Sequence, residues 1–277
     1  MKILKTSEIR SADQFTILHE PISSIDLMER ASSSCFHWLI ANLDLNRRIS
    51  VYCGIGNNGG DGLAIARMLQ IHGCEVLVYA IGDPENGSED FTINLERWTN
   101  RNGQFTLIQS HEQLPAHQKG ELIIDAIFGT GLTRAAKGLA LAAIQHINKA
   151  AVEVVSIDLP SGMFSEDNSS TDSDAIVQAN FTLTFQSPKL AFLLSDAGEK
   201  TGNFFILDIG LDGSFIDSCN SRLFFTQQED ITKFHLTRKQ FSHKGIFGHS
   251  LLIAGSKGKI GAAELACKAA LKMGSGL

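Results

Sequence analysis

The chain has 277 residues, of which 43% are hydrophobic and 19% are charged, and it carries a formal net charge of −6. This composition is typical of a globular protein and can supply a large core. The acidic balance argues against a general nucleic-acid binder, but not against a small ligand that bears phosphate. No apolar run approaches the roughly 20 residues that cross a bilayer, and the N-terminus lacks a signal-peptide core. We therefore expect a cytoplasmic protein that binds neither nucleic acid nor membrane.

The five cysteines are scattered and form no C-x-x-C pair, which argues against a zinc ribbon and against a disulfide framework. The nine histidines show no metal-binding spacing such as H-E-x-x-H. We expect free thiols in a reducing compartment.

Helices and strands alternate along most of the chain. Residues 6–43 are predicted to be helical with an interruption at Pro21, and further helices are predicted at 61–72, 88–102 and 139–150. Strands are predicted at 49–53, 75–81, 105–108, 122–128, 152–159, 181–185 and 203–209. This alternation predicts an α/β fold with three layers, Rossmann-like, around a mostly parallel central sheet. Because the last two strands lack full-length helices before them, an antiparallel or mixed far edge is expected.

The end of the chain has a different character. Residues 210–243 are less regular and more polar, and they are followed by a predicted strand at 250–254 and a predicted helix at 262–273. One strand and one helix cannot bury a core of their own. We therefore predict a first domain at 1–222, a linker at 223–240 and the start of a truncated second domain at 241–277.

The strongest local signal is the glycine-rich segment 54–62, between a strand and a helix. Glycines let the backbone approach a ligand closely, and the N-terminus of the following helix attracts anions such as phosphate. Gly54, Gly56 and Gly59 match the G-x-G-x-x-G pattern, but the acid expected at the end of the second strand is missing. An enzyme that transfers hydride from a bound nicotinamide cofactor is therefore a poor fit. A purely structural tight turn is the other alternative.

Two later strand ends also carry polar residues, namely Asp125 with the loop after it and Asp158 with the loop after it. Ligands of open parallel sheets bind at the carboxyl ends of the strands. A carboxylate inside an apolar strand is costly unless it is paired or bound to a cation. Each aspartate alone could simply accept hydrogen bonds from a turn. The oxygen atoms of Asn58, Asp125 and Ser161 could instead converge on one hard cation.

Segments 54–62, 125–131 and 158–162 together resemble the YjeF N-terminal family, the NAD(P)HX epimerases, over roughly residues 1–220. The resemblance implies a three-layer Rossmann-like fold, a potassium ion, and an isomerase that interconverts the R and S forms of hydrated NADH and NADPH. This is a repair reaction of nicotinamide nucleotides. Because family members are often dimers, the resemblance also allows a homodimer.

The resemblance implies site residues by position. Potassium would be bound by Asn58, Asp125 and Ser161, and Asp158 is the preferred acid–base residue, ahead of Asp61 and Asp125. Lys189 falls in a typical family segment without a clear role. The substrate would contact Asn57, Asn58, Gly59, Gly60, Asp61, Gly129, Thr130, Gly131, Leu132, Thr133, Arg134, Ala135 and Asp158.

Residues 244–263 resemble the start of the ribokinase-like, ADP- or ATP-dependent NAD(P)HX dehydratase. The catalytic aspartate and the nucleotide-binding glycines of that enzyme normally lie beyond position 277. We therefore expect dehydratase activity only in a full-length bifunctional chain. Two alternatives to the epimerase stay open: a non-catalytic nucleotide-binding or protein-interaction module, and an NAD(P)-dependent oxidoreductase.

Overall fold

The computed structural model describes residues 1–234 and 238–277, which form two compact units, Met1–Phe225 and Thr226–Leu277. Part of the predicted linker, residues 235–237, lies outside the described residues. Among the described helices, none combines the length and the apolar character that crossing a membrane requires.

A seven-stranded sheet forms the centre of the first unit, and every pair of neighbouring strands in it is parallel. The strands are β1 (Ile49–Cys53), β2 (Val76–Ile81), β3 (Gln104–Ile108), β4 (Leu122–Ala126), β5 (Glu153–Ile157), β6 (Phe181–Phe185) and β7 (Asn203–Leu207). Their order across the sheet is β3-β2-β1-β4-β5-β6-β7. The order reverses between β1 and β4, and the crevice at such a point is where open α/β sheets bind ligands.

Helices cover both faces of this sheet. The first unit contains α1 (Thr6–His19), α2 (Ser24–Asn42), α3 (Asn57–Ile71), α4 (Glu89–Thr99), α5 (Gly138–Lys149) and α6 (Gly213–Ser218). Side chains of α2, α3 and α4 share one apolar cluster with Val51, whereas side chains of α5 share the opposite cluster with Tyr52. Successive residues of β1 thus point to opposite covered faces, as expected for a buried parallel strand. The predicted three-layer α/β fold is confirmed.

The far edge of the sheet is parallel. The prediction of an antiparallel or mixed edge was wrong. β6 pairs with β5, and β7 with β6, in parallel register. The connections use short 3-10 turns at Ser173–Ala175, Leu190–Leu193 and Gly198–Thr201 instead of full-length helices. These turns bury a small apolar cluster of their own on one face of that end of the sheet, while Trp38 of α2 packs against Phe181 and Phe205.

The start of α3 also differs from the prediction of a helix from residue 61. The helix begins at Asn57, so residues 57–60 form its first turn. A Cβ atom on Gly59 would lie 1.7 Å from the carbonyl oxygen of Gly54, and one on Gly54 would lie 2.1 Å from that of Ile127. Glycine is a poor helix former, but here the close approach of the helix start to the strand ends requires it. This part of the glycine-rich segment is structural.

The second unit contains α7 (Gln228–Thr232) and α8 (Gly261–Met273), which agrees with the predicted helix at 262–273. The strand predicted at 250–254 does not form within the described residues, and Leu251 and Ile253 are exposed. Ser250 donates its backbone N–H to Leu277 at 2.8 Å, but no strand pairs with this segment among the described residues. The assignment of residues 241–277 to the start of a dehydratase domain stays a prediction.

Replacement of Gly59 by alanine is expected to destabilise the first unit by several kcal/mol, because the new methyl group overlaps the backbone of Gly54. Gly56 is the matched control, since nothing lies within 4 Å of a Cβ atom placed there. Gly56→Ala should cost less than about 1 kcal/mol, the usual effect of changing the residue that caps a helix. Urea unfolding of both variants measures the difference, and equal losses would contradict the packing argument.

Candidate active site

The three segments singled out from the sequence meet at one edge of the sheet. β4 lies between β1 and β5, so that Asp125 is directly beside Tyr52 on one side and Ser156 on the other. The loops that follow these strands start at Gly54, Ile127 and Asp158, all at the carboxyl edge. The structure therefore brings the glycine-rich segment and the two aspartates together, as their places at strand ends suggested.

The carboxylate of Asp125 is fully buried and joins two strand ends. Its Oδ2 accepts hydrogen bonds from Ser156 Oγ and from the backbone N–H of Ser161, both at 2.8 Å. Its Oδ1 accepts from Ser161 Oγ at 2.5 Å and from the Ile127 N–H at 3.3 Å. Burial raises the pKa of Asp125, while the bonds from Ser161, Ser156 and Ile127 lower it. Asp125 is thus a structural acceptor at the turn, and this role is compatible with binding a cation.

Unlike Asp125, Asn58 has a buried side-chain amide that lacks a hydrogen-bond partner among the described residues. The side chain is 8% exposed, and neither Oδ1 nor Nδ2 has a hydrogen-bond partner among the described residues. A Cβ atom on Gly129 would lie 3.2 Å from Asn58 Oδ1, so the amide is directly beside the loop after β4. An unsatisfied buried polar group costs about 1–3 kcal/mol. This orphaned amide is therefore a group that a bound ion or ligand would satisfy.

Ser161 lies on the other side of the same loop. Its Oγ accepts a hydrogen bond from the N–H of Phe128 at 2.8 Å and is 3.3 Å from the Phe128 carbonyl oxygen. Asn58 and Ser161 thus border the Phe128–Gly129 peptide, and the oxygen atoms there suit a hard cation. No group of three or more His, Cys, Asp or Glu residues that could hold a metal ion occurs in the described part of the chain.

Asp158 connects two loops through its carboxylate. Its Oδ2 accepts a hydrogen bond from the N–H of Thr130 at 2.9 Å, and its Oδ1 lies 3.1 Å from Lys189 Nζ. The residue follows β5 directly and has a left-handed backbone with φ of 66°. Such a conformation is strained for a residue with a Cβ atom, and strain of this kind is often found at functional sites.

Asp158 lies close enough to two further carboxyls to raise the pKa of each. Asp61 accepts from Ser32 Oγ at 3.1 Å, and burial raises its pKa well above the ordinary value, with Asp158, Asp90 and Asp13 adding to the rise. The pKa of Asp13 rises to about 6, mainly through burial and then through Asp158, against the lowering effect of Lys189. Burial therefore favours the protonated form of Asp61 more than it would at the protein surface.

Sequence reasoning did not single out Asp13, and it left Lys189 without a role. Asp13 lies in α1, which reaches the site only through folding, and no local pattern marks it. Lys189 is 1% exposed, and a lysine in a Pro-Lys pair after a strand is far more often solvated. Only the tertiary structure places these two groups near Asp158.

The remaining substrate-binding candidates differ in access. Thr130 and Leu132 are half-buried, whereas the rest of the loop from Gly131 to Ala135 is exposed, including Arg134. Asn57 is exposed at the start of α3, while Gly59 and Gly60 are buried under packing contacts and offer only backbone atoms. Their role in substrate binding stays a prediction.

Comparison with known proteins points to one family. Residues 24–191 match the family described as YjeF-related protein N-terminus. A bifunctional NAD(P)H-hydrate repair enzyme Nnr from Moorella thermoacetica is 37% identical over 100% of this chain and 53% of its own length. An NAD(P)H-hydrate epimerase from Limosilactobacillus reuteri is 34% identical over 73% of this chain and 92% of its own length. This chain spans about half the length of the bifunctional relatives it matches.

A solved structure shares the fold. The crystal structure of yeast ynu0, YNL200c, superimposes with a TM-score of 0.66 at 18% sequence identity. The match covers 83% of this chain and 98% of the yeast chain. At this identity the likeness concerns the fold alone.

Asp13→Asn is expected to stabilise the first unit at pH 7.5 and to have little effect at pH 4. Because the folded-state pKa of about 6 exceeds the ordinary value of 3.8, the unfolded chain ionises first as pH rises. The carboxylate therefore costs stability above pH 4, by up to about 3 kcal/mol at neutral pH. Calorimetry at both pH values measures the effect. Asp217→Asn is the control, because Asp217 is exposed. An equal gain in stability in this control, or no gain in Asp13→Asn, would contradict the prediction.

Proposed function

The chain belongs to the family of YjeF-related protein N-termini, and we propose that its first unit is an NAD(P)H-hydrate epimerase. The enzyme would interconvert the R and S forms of hydrated NADH and NADPH. The proposal is supported by the epimerase relative, 92% of whose length is matched by this chain at 34% identity. The observation that carries it is the buried carboxylate of Asp158, which is held at the meeting point of two loops beside an exposed, glycine-containing segment.

Asp158 is the group we propose as the acid–base residue. The hydrate carries a hydroxyl group at C6 of the reduced ring, next to the ring nitrogen. That centre can invert by loss and return of hydroxide through an iminium, or by ring opening and reclosure. Either route needs a proton to move to and from the oxygen atom, and a positioned carboxylate can accept and return it. The bonds of Asp158 to Thr130 and Lys189 fix its carboxylate for that transfer.

The dinucleotide part of the substrate would bind at the start of α3 and along the loop after β4. The first backbone N–H groups of a helix have no partner within the helix, and they attract phosphate. Gly56 and Asn57 are exposed at that helix start. Arg134, which is also exposed, can form an ion pair with a phosphate oxygen of the same ligand. The nucleotide is thus held as a substrate and not as a redox cofactor.

A potassium ion is part of the proposal, with Asn58, Asp125 and Ser161 as the residues that would hold it. The residues fit a hard cation, because the amide of Asn58 is orphaned beside the oxygen atoms of Phe128 and Ser161. When bound, the ion would offset carboxylate charge and hold the loops together.

We further propose that the second unit is the beginning of a dehydratase domain, since the repair enzyme from Moorella thermoacetica matches the chain over its whole length. Dehydration would then belong to the longer protein. A cytoplasmic location fits the five free cysteines, and a homodimer stays a proposal.

Asp158→Asn should lower kcat for epimerisation by about 10²- to 10⁴-fold, because asparagine keeps the bond from Thr130 but cannot take up a proton. The assay mixes the protein with the R-hydrate and follows the S form by chromatography. Asp61→Asn is the matched comparison, since Asp61 is also a buried carboxyl but has no ammonium partner among the described residues. It should retain more than about a tenth of the rate. Full activity of Asp158→Asn with normal substrate affinity would exclude Asp158.

The same assay separates the alternatives. Binding of the hydrate by the unmutated chain without conversion would favour a non-catalytic nucleotide-binding module. Transfer of hydride to a second substrate would favour an oxidoreductase.

Potassium chloride should raise the melting temperature of the protein above that in choline chloride at equal ionic strength, because an ion that binds only the folded state stabilises it. Asn58→Ala removes an amide with no hydrogen-bond partner in the described residues, so it should cost little without potassium and abolish the potassium effect. Scanning calorimetry at increasing concentrations of potassium chloride measures the melting temperature of the unmutated protein and of the variant. An undiminished rise in the variant would exclude Asn58 as a ligand.

A further inference from the structure

Lys189 is an unusual residue because its ammonium group is almost completely buried. Nζ lies 3.1 Å from Asp158 Oδ1 and donates to the carbonyl oxygens of Phe185 at 3.1 Å and Ser187 at 3.2 Å. Two of these contacts are hydrogen bonds to backbone carbonyls, and the third pairs the ammonium with a carboxylate. Lys189 and Asp158 therefore form a buried ion pair.

The segment that carries Lys189 is firmly anchored. Gln186 has a left-handed backbone with φ of 60°, its N–H donates to Leu207 at 2.8 Å, and its side-chain oxygen accepts from Ile209 at 3.1 Å. Asp158, on the neighbouring strand end, donates its own N–H to Leu183 at 2.7 Å. Both ends of the ion pair are thus fixed to the sheet before any substrate arrives.

Other elements bring further negative charge to this pair. Asp61 faces it from α3 and Asp13 from α1, while Asp90 on α4 acts on Asp61. Neither Asp61 nor Asp13 has a direct contact with an ammonium group among the described residues, and the pKa of both is raised by burial. The contact with Lys189 is what distinguishes Asp158 from these two carboxyls. An ammonium at this distance favours the charged form of a carboxylic acid, and the other two carboxyls lack such a contact among the described residues.

We propose that Lys189 is a positioning residue for the epimerisation: its ammonium pairs with Oδ1 of Asp158 and directs Oδ2 towards the Gly129–Thr130 loop. This inference rests on the proposed function. Lys189 itself is not placed to touch substrate, because it is 1% exposed and its ammonium lies against Asp158 and two backbone carbonyls. It acts on the reaction only through Asp158.

The first test is the pH profile of Lys189→Met, which keeps most of the aliphatic stem and removes the charge. At pH 7 kcat should fall about 100-fold, with KM changed by no more than a few-fold. The acidic limb of the profile should move to higher pH, so that much of the lost rate returns as the pH is raised. Lys189→Arg keeps the charge and should retain an acidic limb close to that of the wild type.

Thr182→Val is the matched control for a purely structural effect. Thr182 is buried on the same strand as Phe185, and its Oγ1 donates to the Thr201 carbonyl at 2.8 Å, away from Asp158. It should lower the melting temperature without moving the pH profile. If Lys189→Met behaves in the same way, with an unshifted acidic limb, the positioning role is wrong.

A double-mutant cycle gives a second measurement that does not need activity. Lys189→Met leaves the Asp158 carboxylate buried without its partner, so the melting temperature at pH 7.5 should fall. In the Asp158→Asn background the same substitution should cost much less, and it should not lower the residual rate further. Equal losses in both backgrounds would overturn the proposal. An inactive wild-type protein that still shows this coupling would contradict the proposed function and leave the ion-pair argument supported.

Discussion

The desolvation of carboxylates at the carboxyl edge of the sheet is the constraint on which the site depends. A buried carboxylate is costly unless hydrogen bonds, a cation or a proton compensates it. Asp125 is compensated by two serine hydroxyls and two backbone N–H groups, Asp158 by Lys189 and a backbone N–H, and Asp61 by a hydrogen bond from Ser32. These three solutions give neighbouring aspartates different chemical properties. Among these three, only Asp158 combines an ammonium partner with a position beside an accessible loop.

Close packing of the backbone creates the space in which these groups meet. Gly54 and Gly59 let the start of α3 approach the ends of β1 and β4, and a methyl group at either position would overlap a carbonyl oxygen. By contrast, Gly56 and Gly131 have open space around their Cα atoms. Gly54 and Gly59 therefore permit close packing, whereas Gly56 and Gly131 leave room for a ligand.

Much of the site could be predicted because its residues follow strands directly. Asp125 and Asp158 interrupt or end apolar strands, and parallel strands deliver such residues to a common edge. Lys189 and Asp13 could not be predicted in the same way. Their importance depends on burial and on distances to Asp158, and no local pattern encodes these quantities.

The sequence by itself determined the order of the main helices and strands of the first unit and its three-layer architecture, because hydrophobic periodicity and turn residues are local properties. The tertiary structure alone decided that β6 and β7 run parallel to their neighbours and that α3 begins at Asn57. It also decided which buried aspartate contacts the ammonium of Lys189. These features arise from close approach and from the removal of charged groups from water, and both depend on residues far apart in the chain.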